Sequence, residues 1–140
     1  MFDIDSCIGF ITNKASKKIA EVFNDRLMSY GITRVQWIAL YYLLKDGKAS
    51  QKELADKMNI KESTIVRLID RLEKEKYVER VKEPENRRIT YIILTDSGKN
   101  RITELIPEGE KMKDSISKGI TDEEFETFNR VLQKMIDNIS

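Results

Sequence analysis

Ser63, Thr64, Arg67 and Arg71 fall at steps of one, three and four, and Arg87 and Arg88 follow as an adjacent pair. Steps of three and four put side chains on one face of a helix. Hydroxyl and guanidinium groups on such a face can donate to phosphate oxygens and to the acceptor edges of bases. That chemistry is gripping, not turnover. The chain has no histidine and one cysteine, so the commonest general base is missing and a structural zinc site cannot be assembled within it. None of its glycines forms a phosphate-cradling loop. Neither an enzyme nor a cofactor or metal is expected.

The elements that must hold these residues are legible from periodicity. Apolar residues at Ile4, Ile8, Ile11, Ala15, Ile19, Val22 and Leu27 predict a first helix over about 4–30, with Gly31 as its stop. Thr33 with Gln36 makes a capping box for a second helix over about 34–45, apolar nearly all round and therefore central. Ser50 with Glu53 opens a short helix through Met58. Asn59-Ile60 is a turn, and a helix over about 61–76 carries an inner stripe of Ile65, Leu68, Ile69 and Leu72. Its outer face holds Ser63, Thr64, Arg67, Asp70, Arg71 and Lys74. The period then changes. Val78, Arg80 and Lys82 lead into a turn at Glu83-Pro84-Glu85-Asn86, and Thr90 to Leu94 reads as a strand. The two runs predict a hairpin tipped by Arg87 and Arg88. Thr95 can cap a helix to about Lys118, with Pro107 as a kink. Thr121 with Glu124 opens a last helix whose Phe125, Phe128, Leu132, Met135 and Ile139 form a coiled-coil-like seam.

The expected fold is mainly α with a small β-hairpin wing. A winged helix-turn-helix over about 33–95 lies between terminal helices over about 4–30 and 96–139, all in one domain of 140 residues. A recognition helix in the major groove and a basic wing in the narrow minor groove make a device for reading duplex DNA. The overall charge of +1 does not suggest nucleic acid, but its distribution does. Residues 45–101 hold 15 Lys+Arg against 11 Asp+Glu, and residues 102–140 hold 5 against 9. A basic middle and an acidic end allow a positive face on a nearly neutral chain. The longest uncharged stretch, Val35 to Leu44, is too short to span a bilayer. No secretory signal is visible, and the lone Cys7 cannot form an internal disulfide, so a cytoplasmic setting is expected.

At this point the residues carry a family resemblance. Gln51-Lys52-Glu53-Leu54-Ala55, followed by Ser63 through Lys74, resembles the central signature of the MarR family of winged-helix regulators. Val78-Glu79-Arg80, Pro84-Glu85-Asn86-Arg87-Arg88, Leu94-Thr95 and Gly98 continue it through the wing, and Ile32-Thr33 and Gln36-Trp37 also fit. The resemblance implies a homodimer on a pseudo-palindromic operator, commonly a repressor released by a small aromatic or lipophilic effector. It also implies that Arg88 inherits the minor-groove role. Asn86 replaces the family's wing aspartate, Lys76 stands where a glycine usually ends the recognition helix, and Lys61 stands where a serine or aspartate cap is common. The candidate DNA contacts are Ser50, Gln51, Lys61, Ser63, Thr64, Arg67, Arg71, Lys74, Lys82, Arg87, Arg88 and Thr90.

Two sensing sites are candidates. Phe23, Trp37, Tyr41 and Tyr42 could border an effector pocket, the alternative being ordinary core. Cys7 could be a peroxide sensor, since a helix N-terminus can lower a thiol's pKa. It aligns about two residues early against the peroxide-sensing relatives, and Phe23 and Arg34 occupy the approximate positions of their partner tyrosines. A small apolar-like residue at a helix start is the plainer account. A competing class is a winged-helix protein-interaction module, which the acidic C-terminal segment and the mixed charge of the recognition helix permit. The dimer has separate support: the apolar seams of the terminal helices exceed what a small winged helix can cover.

Overall fold

Side-chain oxygens decide where three of the helices begin. In the computed structural model, which describes residues 1–140, Thr33, Ser50 and Thr121 each accept the backbone N–H three residues on. Gln36, Glu53 and Glu124 return the bond to the capping residue's own N–H. These reciprocal caps satisfy donors that the first helical turn leaves unpaired. They start α2 (Arg34–Asp46), α3 (Gln51–Met58) and α6 (Asp122–Ile139). α1 (Ile8–Met28) begins later than its periodicity predicts, because Asp3 caps a separate 3-10 turn at Ile4–Ser6. Gly47, at φ 82, stops α2 in a backbone region that costs glycine nothing.

α4 (Glu62–Lys74) follows a turn in which Asn59 adopts φ 53, the left-handed conformation that asparagine tolerates better than most residues. Its inner stripe is as the sequence predicts: Ile65, Leu68, Ile69 and Leu72 are buried. The sheet differs from expectation. Besides β2 (Val78–Lys82) and β3 (Thr90–Leu94) it has a third strand, β1 (Ala49–Ser50), paired antiparallel to β3 through Ala49–Ile92 and Ser50–Tyr91. This short bridge ties the start of α3 to the wing. α5 (Asp96–Ser117) contains Pro107.

The chain forms two compact units, Met1–Glu108 and Gly109–Ser140. The core of the first draws on every element of the winged helix: Leu40, Leu43, Leu54, Ile65, Ile69, Leu72, Val78 and Ile92 are all but sealed from solvent, with Leu27 and Ile102. Trp37 Nε1 donates to the Leu105 carbonyl at 2.9 Å, and the Arg34 N–H donates to Asn24 Oδ1 at 2.8 Å. α2 is less enclosed than its composition suggests, since Val35 and Tyr41 are exposed. The second unit contains α6, which buries no residue and leaves Phe128, Val131, Ile136 and Ile139 exposed. On α1, Ile8, Ile11 and Ile19 are likewise exposed. No helix is long and apolar enough to cross a membrane.

Candidate nucleic-acid interface

Burying four aliphatic residues of α4 turns its opposite face outward. Ser63, Thr64, Arg67, Arg71 and Lys74 are all exposed. Arg71 makes one loose intrahelical contact, Nε to Glu75 at 3.9 Å, which solvent weakens. Lys61 is the N-cap of α4 and makes no side-chain capping bond, as its lysine side chain dictates.

The wing is held at both ends. At its tip, the Glu83 N–H donates to the Ile89 carbonyl at 2.9 Å, and the Ile89 N–H donates to the Asn86 carbonyl at 3.0 Å. Asn86 Oδ1 accepts the backbone N–H of Arg88 at 3.2 Å. A carboxamide oxygen makes this bond to a residue two places on as an aspartate oxygen would, so Asn86 still organises the turn before Arg88. Arg87 and Arg88 are exposed. Lys82 and Thr90 meet across the strands, Nζ donating to Oγ1 at 2.9 Å.

At the base of the wing, Thr95 Oγ1 donates to the Lys76 carbonyl at 2.6 Å and accepts the Gly98 N–H at 3.0 Å. The Thr95 N–H donates to the Tyr77 carbonyl at 3.0 Å. Lys76 sits at φ 66, in the left-handed region, where the resemblance leads one to expect glycine. A Cβ on Gly98 would lie 2.0 Å from the Tyr77 carbonyl oxygen, so only glycine lets α5 start against the backbone at Tyr77.

One residue outside the predicted contact set links these parts. Arg80, on β2, has a side chain 23% exposed. Its Nη2 donates to Asp70 at 2.7 Å, to Gln51 Oε1 at 3.1 Å and to the Val66 carbonyl at 3.4 Å. Its Nη1 donates to Glu73 at 2.9 Å, and its Nε to Gln51 Oε1 at 3.3 Å. Asp70 and Glu73 are thus engaged by an arginine of the same chain, which accounts for two of the three acids of α4. Gln51 is drawn into the same cluster, while Ser50 is occupied in capping α3. A sequence signal for Arg80 existed: on a strand it shares a face with buried Val78, two residues away, so its charge needed partners.

The aromatic candidates form a packed ladder. Phe23 meets Trp37 edge-on at 5.2 Å, Trp37 stacks on Tyr41 at 5.5 Å, and Tyr42 faces the Lys57 ammonium at 5.6 Å. Lys57 also pairs with Asp46, and that hydrogen bond raises the pKa of its ammonium. Two surface cavities, of about 450 and 470 Å³, have other linings: Ala55, Asp56, Asn59, Ile60 and Lys61 in one, Leu43, Leu44, Gly47, Ile93, Leu94 and Lys99 in the other. Cys7 is the half-buried N-cap of α1 and has no side-chain capping bond.

Comparison with known proteins matches this arrangement. A family model described as the MarR family matches residues 30–89. The chain is 34% identical over 133 residues to the uncharacterised HTH-type transcriptional regulator YsmB of Bacillus subtilis, covering 95% of this chain and 88% of that one. Among solved structures, BpsR of Bordetella bronchiseptica, studied for regulation of its DNA binding by 6-hydroxynicotinic acid, superposes with a TM-score of 0.87 at 23% identity, covering 98% of each chain. MepR of Staphylococcus aureus, solved as a DNA complex, superposes at 0.85 and 23% identity over 94% of this chain and 98% of that one. At that identity the two structures establish the fold.

Proposed function

The chain belongs to the MarR family of winged-helix transcriptional regulators, and from that premise we propose that it acts in the cytoplasm as a homodimeric repressor that reads a two-fold-symmetric DNA operator. The observation that carries the reading is the exposed row of Ser63, Thr64, Arg67 and Arg71 on a helix anchored by four buried aliphatics. A helix held this way can enter the major groove without losing its seat. Arg67 and Arg71 are assigned to guanine edges or phosphates, and Ser63, Thr64, Lys61 and Lys74 to phosphates and nearby bases. On the wing, Arg88 is assigned to the minor groove, with Arg87, Lys82 and Thr90 on the flanking backbone. The chain works as one MarR-type unit, residues 33–95 reading DNA and the terminal helices pairing two copies.

Dimerisation is supported by the apolar residues that α1 and α6 leave exposed, Ile8, Ile11 and Ile19 on one and Phe128, Ile136 and Ile139 on the other. A second copy would cover such surface. A dimer would present its recognition helices about 34–36 Å apart, one DNA turn. For release we propose an aromatic acid, by analogy with the regulation of BpsR by 6-hydroxynicotinic acid. Such a ligand could stack on the exposed side of the Trp37–Tyr41 pair, and a panel of aromatic acids read by tryptophan fluorescence and DNA affinity tests that part. The engagement of Asp70 and Glu73 by Arg80 within the chain favours DNA over a protein-interaction module.

Selection of duplexes from a random-sequence pool tests the function directly. Enrichment of an inverted repeat with half-sites about one turn apart is expected. Absence of any enriched motif would overturn the reading.

A further inference from the structure

The three segments that must face DNA together are α3, α4 and the wing, and one guanidinium carried by the wing reaches both helices. Arg80 leaves β2 on the face that carries Val78, and its register partner Ile92 is fully buried, so the side chain is directed inward between the helices. There it finds Gln51, the first residue of α3, and Asp70 and Glu73 on α4. A guanidinium is planar, and its five N–H donors sit in a fixed fork. Contacts at 2.7, 2.9 and 3.1 Å to three acceptors therefore constrain the mutual rotation of the elements that bear them. The hydrogen bonds to Gln51 Oε1 also set which way its carboxamide faces, leaving the amide nitrogen as the donor available at the start of α3.

We infer that Arg80 is a positioning residue for sequence reading. It fixes the orientation of α4 relative to the wing and the start of α3, and it does not itself contact phosphate. The inference rests on the DNA-binding reading above. Charge separates it from the alternative. Two carboxylates lie against Arg80, so it adds no net positive charge to the interface and displaces no counterion from DNA. A phosphate-binding arginine would contribute about one unit to the slope of affinity against salt.

The test uses the full-length protein and a duplex that the wild-type protein has selected from a random-sequence pool, beside a scrambled duplex, over a salt series. Arg80→Met and Arg80→Lys are each expected to cut the ratio of selected to scrambled affinity by about tenfold while leaving the salt slope unchanged. Lysine does not rescue, because a compact ammonium cannot span acceptors on two helices. Asp70→Asn, whose site is mostly exposed, keeps the fold intact should the Arg80 variants lose it, and it lowers the same ratio by less. Hydrogen exchange supplies a readout independent of DNA: in Arg80→Met, amides of 51–54 and 78–82 exchange faster, and those of α2 do not. A slope flattened by about one unit with the ratio preserved would make Arg80 a phosphate contact and overturn the inference. So would an unchanged ratio with unchanged exchange. If the wild-type protein enriches no duplex, the DNA-binding reading fails, and the exchange result alone decides whether Arg80 couples the three segments.

Discussion

α4 and α6 are both amphipathic helices with apolar residues every three or four positions, yet α4 buries four of them and α6 none. The difference is one of partners. α4 lies over a core completed by α3, β2 and β3 of its own unit, so its polar face is what remains for solvent or a ligand. α6 carries a stripe of similar quality that nothing in its own unit seals. In our proposal the same sequence pattern thus marks a reading surface in one case and a pairing surface in the other. The contrast implies that defects in α4 will appear as unfolding, and defects in α6 as loss of assembly.

The largest expected effect comes from breaking the α4 seat. Ile69→Ala leaves a cavity in a fully buried position and should cost about 2–5 kcal/mol, read by chemical denaturation. That loss should not depend on protein concentration if the winged helix closes on itself. Gly98→Ala attacks the same unit at its joint with α5. Its methyl would overlap the Tyr77 carbonyl, and a destabilisation of about 1–3 kcal/mol is expected in the same assay. On the other side of the comparison, Ile136→Asp removes an exposed apolar residue from α6. It should leave the unfolding of a single chain nearly unchanged and shift sedimentation from dimer to monomer. A monomeric wild-type protein at micromolar concentration would overturn the pairing role of α6. Lys76→Gly should stabilise by about 0.5–1 kcal/mol, because glycine occupies φ 66 without the Cβ clash that lysine meets there. Arg88→Ala, at an exposed wing tip, should leave stability unchanged and flatten the salt dependence of DNA binding by about one unit.

What the sequence revealed and what it hid follow the range of the forces involved. The stripe of α4 and the starts of α2, α3 and α6 were legible because caps and helical periodicity act over three or four residues. β1 was not, since two residues, Ala49 and Ser50, carry no alternation and are made a strand only by Ile92 and Tyr91 of β3. The early 3-10 turn at Ile4–Ser6 was hidden because the apolar spacing of the first helix runs straight through it. Most of the candidate contact residues lie on the exposed faces of α4 and the wing, as an outward-facing helix and hairpin require. The Arg80 cluster was missed because its side-chain acceptors lie 7, 10 and 29 positions away, and only the alternation of β2 hinted that this charge points inward. Lys76 in the left-handed region is the converse case: a departure from the family's usual glycine that the backbone nonetheless obeys, held by Thr95 at its carbonyl.

In our proposal the exposed face of α4 and the wing read duplex DNA together. Fluorescence anisotropy of the purified protein against DNA from upstream of its own gene, beside a scrambled duplex and across a salt series, tests it most directly. Tighter binding to the upstream DNA, weakening steeply as salt rises, is expected. Equal affinity for both duplexes at every salt concentration, with no motif enriched from a random pool, would contradict it.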